Sequence, residues 1–412
     1  MTADTRVSRA TSRIFSMLRR DRQKLPRDIK VMLAAAFLIA LGFGLVAPVL
    51  PQFATTFGVG NTEASVIVAI FAFMRLVFAP AGGALIGRLG ERPVYVTGLL
   101  IVAASTAACA FAQDYWQLLL FRGLGGAGSV MFTVASMALV VRLAPPESRG
   151  RVSGAYASAF LIGNVCGPIV GGLLAGFGLR VPFLAYAAAL VVAAVVVQTQ
   201  LSHQRRGSGP RQERADMPLA EALAAGTYRT ALVSSFVNGW ATFGVRMATV
   251  PLFAVAALGA GPEAAGFALA VFAAGNAAAL TFSGRLADTL GRKPMMVAGL
   301  LVAGASTAAI GFTTGLGWFL AASALAGIGS GLFGPAQQAA VADVIGNGRS
   351  GGKVLAVYQM TSDVGAIVGP VLAGVLADRL GYGWAFGVTG GIMVVAACSW
   401  LATRESLRKP AA

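Results

Sequence analysis

Histidine is nearly missing from this chain. His203 is the single copy in 412 residues, and cysteine occurs three times, at Cys109, Cys166 and Cys398. All three cysteines fall in apolar runs and His203 in a polar stretch, so a disulfide framework has no place and a His/Cys metal site has no spacing to rest on. Charge is scarce as well: 12% of residues are charged against 57% hydrophobic, with a mean hydropathy of +0.74. A soluble core with a polar rind needs far more charge than that. There is no P-loop, which argues against ATP as the energy source. Neither a metal-ligand cluster nor a nucleophile with a paired histidine offers a catalytic set. Acids number half the bases, 16 against 32, for a formal charge of +16.

Long apolar runs fill the space that charge leaves. Twelve can be counted, over 31–54, 64–87, 94–113, 116–141, 150–177, 181–201, 230–257, 263–287, 294–314, 318–343, 353–377 and 383–403. Each is close to the ~20 residues that cross a ~30 Å hydrocarbon core. Lipid offers no partner to open backbone groups, so these spans are expected to be helices; Leu190 to Val197 shows no strand-like alternation. The expected fold is an all-α membrane protein of twelve transmembrane helices in two pseudo-symmetric six-helix bundles. A charge of +16 also suits a nucleic-acid binder, and the placement of the bases decides against it. All but five of the Lys and Arg lie before residue 31, in alternate connections or at the C-terminus. The opposite connections hold Arg180 and Arg379, and Arg75, Arg122 and Arg246 lie inside apolar runs. This asymmetry puts both termini in the cytoplasm of a multi-pass protein of a cell membrane, bacterial inner or plasma. The expected divisions are a basic tail over 1–30, a first bundle over 31–201, a linker over 202–229, a second bundle over 230–403 and a tail over 404–412. The first tail reads as a basic segment that fixes orientation, with a short interfacial helix on anionic lipid as the alternative.

The two bundles repeat one another. Gly163-Asn164-Val165-Cys166-Gly167-Pro168-Ile169-Val170-Gly171-Gly172 returns 202 positions later as Gly365-Ala366-Ile367-Val368-Gly369-Pro370-Val371-Leu372-Ala373-Gly374. A second pattern, starting at Gly83, returns 201 positions later from Gly284. Two unrelated patterns sharing nearly one offset indicate parallel halves. Within the first, small residues let a helix approach its neighbour closely, and Pro168 removes a backbone donor and bends the helix, so Gly163, Gly167, Pro168 and Gly171 are expected to form a rocking seam.

These features resemble the major facilitator superfamily over nearly the whole chain. The segment Gly284-Arg285-Leu286-Ala287-Asp288-Thr289-Leu290-Gly291-Arg292-Lys293 fits that family's signature G-x-L-A-D-x-x-G-R-K between helices 8 and 9. The resemblance implies a conformational latch at Gly284, Asp288, Gly291 and Arg292. The copy between helices 2 and 3 keeps Gly83, Arg88 and Arg92 but has Gly87 in place of the acid and Glu91 where a base is usual. Leu41-Gly42 followed by Pro48 and Pro51 looks like the helix 1 signature of the twelve-helix drug:proton antiporter branch, and Gly163 to Gly172 like the antiporter motif of helix 5. Leu118-x3-Arg122-x3-Gly126 resembles a third element, whose arginine is implicated in proton transfer; snorkelling of Arg122 to headgroups is the simpler alternative.

The resemblance implies a secondary transporter and no enzyme. The leading expectation is a proton-coupled exporter of small amphiphilic compounds or drugs by alternating access, a monomer in the lipid bilayer with protons and a small-molecule substrate as partners and no cofactor, metal or nucleic acid. An importer or facilitator of a sugar or other metabolite, or a non-transporting membrane sensor, are the alternatives. A mixed apolar and polar cavity is expected from Asn238, Trp240, Phe243 and Arg246 on helix 7, Gln337 and Gln338 on helix 10, and Tyr358 and Gln359 on helix 11. Proton coupling is placed on Asp363, Arg75 and Arg122. Asp363 is the one acid well inside an apolar span, about 15 Å deep at 1.5 Å per residue, and Arg75 on helix 2 lies at comparable depth, about 20 Å from the same side. The two are expected to pair in one access state and part in another.

Overall fold

The computed structural model describes residues 26–143, 149–201, 217–346, 349, 351–403 and 405. Residues 1–25 of the expected basic tail, 202–216 of the expected linker and all but Glu405 of the expected C-terminal tail lie outside them. Twelve helices among the described residues are long and apolar enough to cross a membrane. Helix 1 covers Arg27–Thr55. Helices 2 to 6 are Asn61–Leu89, Glu91–Ala110, Tyr115–Leu143, Arg149–Ala175 and Val181–Gln200. Helix 7 covers Gly226–Ala256. Helices 8 to 12 are Pro262–Thr289, Arg292–Ile310, Leu316–Ile345, Gly352–Leu380 and Tyr382–Leu401.

The breaks follow from particular residues. Helix 1 stops at Val46 and restarts at Leu50, with Pro51 in the first turn of the second piece. The Val49 N–H reaches back to the Val46 carbonyl, and Gln52 Nε2 donates to the Pro48 carbonyl at 2.9 Å, taking up an acceptor that the turn leaves open. Helix 7 begins four residues before the expected 230 and follows a short helix, Leu219–Ala224, so the described end of the expected linker is helical. An ion pair from Arg349 Nη1 to Glu221 Oε1 at 2.6 Å ties that short helix to the connection between helices 10 and 11. Inside helix 7, Gly239–Val245 widens into a π-helix.

The sequence repeat is a structural one. Helix 1 packs on helix 5, helix 2 on helix 4, and helix 3 on helices 4 and 6; helices 7, 8 and 9 make the matching contacts with 11, 10, and 10 and 12. The turns into helices 3 and 9 both need a left-handed residue and both have glycine, Gly90 at φ 88° and Gly291 at φ 117°. Each half has its own apolar core, with Tyr95, Leu99 and Phe183 in the first and Phe319, Phe333, Phe386 and Trp400 in the second. Phe111, Trp116, Phe177, Phe312, Trp318 and Trp384 are exposed and stand at the helix ends away from the chain termini. Such a ring of aromatics suits one membrane interface. That end is the distal face below, and the other is the terminal face.

Candidate functional site

Close helix approach decides how the halves are built. A Cβ on Gly167 would stand 2.5 Å from the Leu41 carbonyl oxygen and 2.7 Å from Gly44 Cα; one on Gly163 would stand 2.7 Å from Ala40 Cβ; and Gly171 is equally tight against Leu45. Pro168 Cδ lies where Gly44 would need a Cβ, at 2.7 Å. All of these contacts are with helix 1, inside the first half. The second half repeats them with helix 11 on helix 7: Gly365 and Gly369 fit against Phe236 and Trp240, and Pro370 against Gly244. The seam expected between the halves at Gly163, Gly167 and Gly171 is therefore a seam within one half, because those glycines sit on the face of helix 5 turned to helix 1.

The contact between halves is made by Pro168 and Gly172: a Cβ on Gly266 of helix 8 would stand 2.4 Å from the Pro168 carbonyl oxygen. A Cβ on Gly172 would stand 3.1 Å from Glu263 Cα and 3.3 Å from Gly266 Cα of helix 8. Its counterpart Gly374 on helix 11 would place one 2.8 Å from Thr62 Cα and 2.9 Å from Ser65 Oγ of helix 2. Beside it, Asp378 caps helix 2 across the gap. Its Oδ1 accepts from Asn61 N at 3.1 Å and Nδ2 at 2.8 Å, and its Oδ2 from Thr62 N at 2.9 Å and Oγ1 at 2.6 Å. Tyr382 Oη donates to Asn61 Oδ1 at 2.7 Å. A carboxylate against the exposed N–H groups that begin a helix is favoured by the helix dipole as well. All of this lies at the distal face. Toward the terminal face, Gly87, Gly154, Gly284 and Gly352 meet no atom within 4 Å of where a Cβ would stand. The side chains of Val77, Phe78, Leu355 and Met360 there are exposed. The halves are sealed at the distal face and apart at the terminal face.

Asp363 and Arg75 lie where helices 11 and 2 pass from the buried distal part to the exposed part. Each acts on the other's charge. They do not form an ion pair in this arrangement. Arg75 Nη1 donates to Ser129 Oγ of helix 4 at 2.8 Å, and Asp363 Oδ1 accepts a long bond, 3.5 Å, from Gln359 one turn earlier. Arg122 is buried, its guanidinium carbon 4.1 Å above the Phe71 ring, and its Nε has no hydrogen-bond partner. The guanidinium is packed among side chains of its own half rather than extended into solvent.

The eight expected cavity residues divide. Trp240 is buried and donates from Nε1 to Thr389 Oγ1 on helix 12 at 3.1 Å, so it faces the core of its own half; the π-helix shifts the phase of helix 7 at that point. Gln337 is 1% exposed and donates to the Ala231 carbonyl at 3.3 Å, joining helix 10 to helix 7. Arg246 is buried beneath Phe272. Phe243, Gln338 and Gln359 are exposed, and Asn238 and Tyr358 are half-buried. A cavity of about 560 Å³ does open on the distal face, lined by Gln52, Thr55, Asn61, Leu252 and Tyr382 among others; it lies outside the seal and holds none of the expected residues.

At the terminal face the 8–9 connection is a network. Arg292 Nη1 meets Asp288 Oδ1 at 2.7 Å and donates to the Ala287 carbonyl at 2.7 Å, while Nε meets Asp343 Oδ2 of helix 10 at 3.2 Å. Glu405 accepts from the N–H groups of Arg292 and Lys293, both at 3.0 Å, capping helix 9. Lys293 Nζ in turn donates to the Leu401 carbonyl at 2.7 Å. In the first half, Gly83 and Arg88 lie on the last turns of helix 2, and Glu91 pairs with Arg142 Nη1 at 2.8 Å.

A model of the Major Facilitator Superfamily matches residues 32–245 and again 231–412, the two matches meeting near the middle of the chain. The chain belongs to that superfamily. Multidrug resistance protein 2 of Bacillus subtilis (strain 168) is 27% identical over 378 residues, covering 89% of this chain and 92% of that one. Quinolone resistance protein NorA of Staphylococcus aureus is 30% identical over 182 residues, or 44% of this chain and 47% of its own length. Among solved structures, a bacterial homologue of the human lysosomal transporter Spinster, inward-facing and unoccupied, superposes with a TM-score of 0.78 at 18% identity, covering 92% of this chain and 97% of that one. A POT family transporter in complex with 5-aminolevulinic acid gives a TM-score of 0.74 at 12% identity, covering 90% and 95%. The superfamily member described here is a multi-pass cell-membrane transporter, not an enzyme, with relatives named for drug resistance.

Proposed function

We propose that the protein is a proton-coupled exporter of small amphiphilic compounds, captured with its two halves parted at the cytoplasmic face. The excess of Lys and Arg on the terminal face supports the cytoplasmic assignment of that face, and the solved neighbour of similar shape is described as inward-facing. The observation that carries the proton assignment is the position of Asp363. It is a carboxylate inside a span, on the helix that meets helix 2 across the halves, at the level where the seal ends. Closing the cytoplasmic end would bring helices 2 and 11 together along their exposed parts. Arg75 would then exchange Ser129 for Asp363, and a carboxylate that gains and loses an arginine neighbour changes its hold on a proton with each cycle. Asp288, Arg292 and Glu405 would fix the helix 8–9 turn that rides on this motion, with Gly291 supplying the turn, and Gly172 and Gly374 would be the surfaces that part when the distal face opens.

The test is flux in proteoliposomes with and without an imposed proton gradient, using an amphiphilic dye. Uptake or release that follows the gradient supports the reading, whereas equal flux in both would assign the protein to facilitated diffusion and remove the proton from the mechanism.

A further inference from the structure

Arg75, Arg122 and Arg246 stand in the spans against Asp363, an excess of positive charge in the interior. Two of the arginines share a setting. Arg122 lies over the ring of Phe71 at 4.1 Å and Arg246 over the ring of Phe272 at 3.3 Å. Phe71 on helix 2 and Phe272 on helix 8 are counterparts, 201 positions apart. The repeat thus supplies each half with the ring, while the cation comes from helix 4 in one half and helix 7 in the other.

Arg246 is the more exceptional of the pair. It is 4% exposed, Nε and Nη1 both lack a hydrogen-bond partner, and no acidic side chain among the described residues forms an ion pair with it. The Phe272 ring covers one face of the guanidinium, but the N–H donors lie in the plane of the group, where a ring stacked on that face cannot accept them. Several polar groups elsewhere on helix 7 are matched: Ser235 bonds the Tyr358 carbonyl, Ser234 accepts from Trp400, and Trp240 bonds Thr389. The π-helix ends immediately before Arg246, whose N–H bonds Ala241 five residues back, and this extra residue in the turn sets the direction in which the guanidinium leaves the helix. A buried cation without an acceptor is strongly disfavoured unless a ligand completes it, and ionisable groups inside spans mark substrate paths.

We propose that Arg246 receives the anionic group of the transported compound, so that the substrates are organic acids or zwitterions with an apolar body. The planar guanidinium suits a carboxylate or sulfonate better than a point charge would, and the positive interior opposes a purely cationic substrate. Phe272 stands over the site, and a rotamer change of that ring admits the ligand. The assignment rests on the exporter reading, yet binding alone tests it, without flux or gradient.

The protein in lipid nanodiscs is titrated calorimetrically with matched acid and amide pairs, the acetic acids and acetamides of naphthalene, quinoline, indole and biphenyl, with empty nanodiscs subtracted. At least one acid should bind tenfold or more tightly than its amide. In Arg246→Gln that preference should fall to within twofold, and Arg246→Lys should recover part of it. A panel in which no acid exceeds its amide overturns the proposal, as does a preference that survives in Arg246→Gln. If Arg246→Gln does not fold, the wild-type ratio and Arg246→Lys decide: an unchanged ratio in the lysine variant, or no preference in the wild type, counts against it. Gradient-driven efflux of a cationic dye with no acid preference would leave the exporter reading intact and this proposal lost.

Discussion

Arg142 Nη1 meets Glu91 Oε2 at 2.8 Å, and these two residues stand 201 positions before Asp343 and Arg292, which pair at 3.2 Å with the charges the other way round. In both halves the pair ties the start of one helix, 3 or 9, to the end of the next, 4 or 10. What the repeat preserves is the presence of opposite charges at two places, and either sign order satisfies it. Exchanging the charges should therefore be tolerated where reversing one is not. Arg142→Glu alone sets two carboxylates against each other and is expected to lower the melting temperature by about 2–4 °C, while Glu91→Arg with Arg142→Glu returns it to within about 1 °C of wild type. Differential scanning fluorimetry of the purified variants reads this; a double variant no better than the single would show that the pair does not couple.

Asp378 should hold the distal face shut. Asp378→Ala removes four accepted hydrogen bonds between the halves, and because the site is partly exposed a net loss of about 1.4 kcal/mol, or tenfold in the balance of states, is a reasonable expectation. With Cys109, Cys166 and Cys398 replaced, a cysteine at Ala69, buried one turn inward of Ser65 on helix 2, reports the opening through a membrane-impermeant maleimide. Labelling from the distal side should rise several-fold in Asp378→Ala. Unchanged labelling would mean that the glycine contacts alone make the seal.

Gly167 and Gly172 should behave differently although they belong to one motif. Leucine at Gly167 collides with the backbone of helix 1 inside the first half, an overpacking that costs about 1–3 kcal/mol and should lower the yield of folded protein. Leucine at Gly172 meets Glu263 and Gly266 of the other half, so the protein should fold, and the distal face should open more readily. Gel-filtration yield together with the Ala69 cysteine label separates the two, and equal loss of yield in both variants would refute the distinction.

These contrasts also show what the amino-acid order can and cannot express. Twelve spans, two bundles and the repeat were legible because apolar length and a fixed offset are properties of the chain itself. The gap between Asp363 and Arg75 was half legible: the rise per residue placed both at similar depth, while the bond from Arg75 to Ser129 depends on helix 4, which no spacing reveals. The Glu91–Arg142 pair was hidden because Glu91 read as a lost base; only its partner, fifty-one residues on, makes it an exchanged charge. Trp240 read as a cavity residue because a regular helix was assumed, and the π-helix alters the phase at that residue. Asp378 lies just past an apolar run and Glu405 in the expected C-terminal tail, places that give no hint that each caps a helix elsewhere in the chain. The helix 5 glycines signalled a close approach correctly, but a glycine does not say which neighbour it admits.

If Asp363 carries the proton that drives export, export must fail when its carboxyl can no longer titrate. That requirement is tested most directly by Asp363→Asn in proteoliposomes, comparing gradient-driven export with substrate exchange in the absence of a gradient. The first should fall at least tenfold while the second stays within about twofold of wild type, since the amide keeps the size and the Gln359 neighbour of the carboxylate but cannot titrate. Gradient-driven export at the wild-type rate in Asp363→Asn would contradict the assignment.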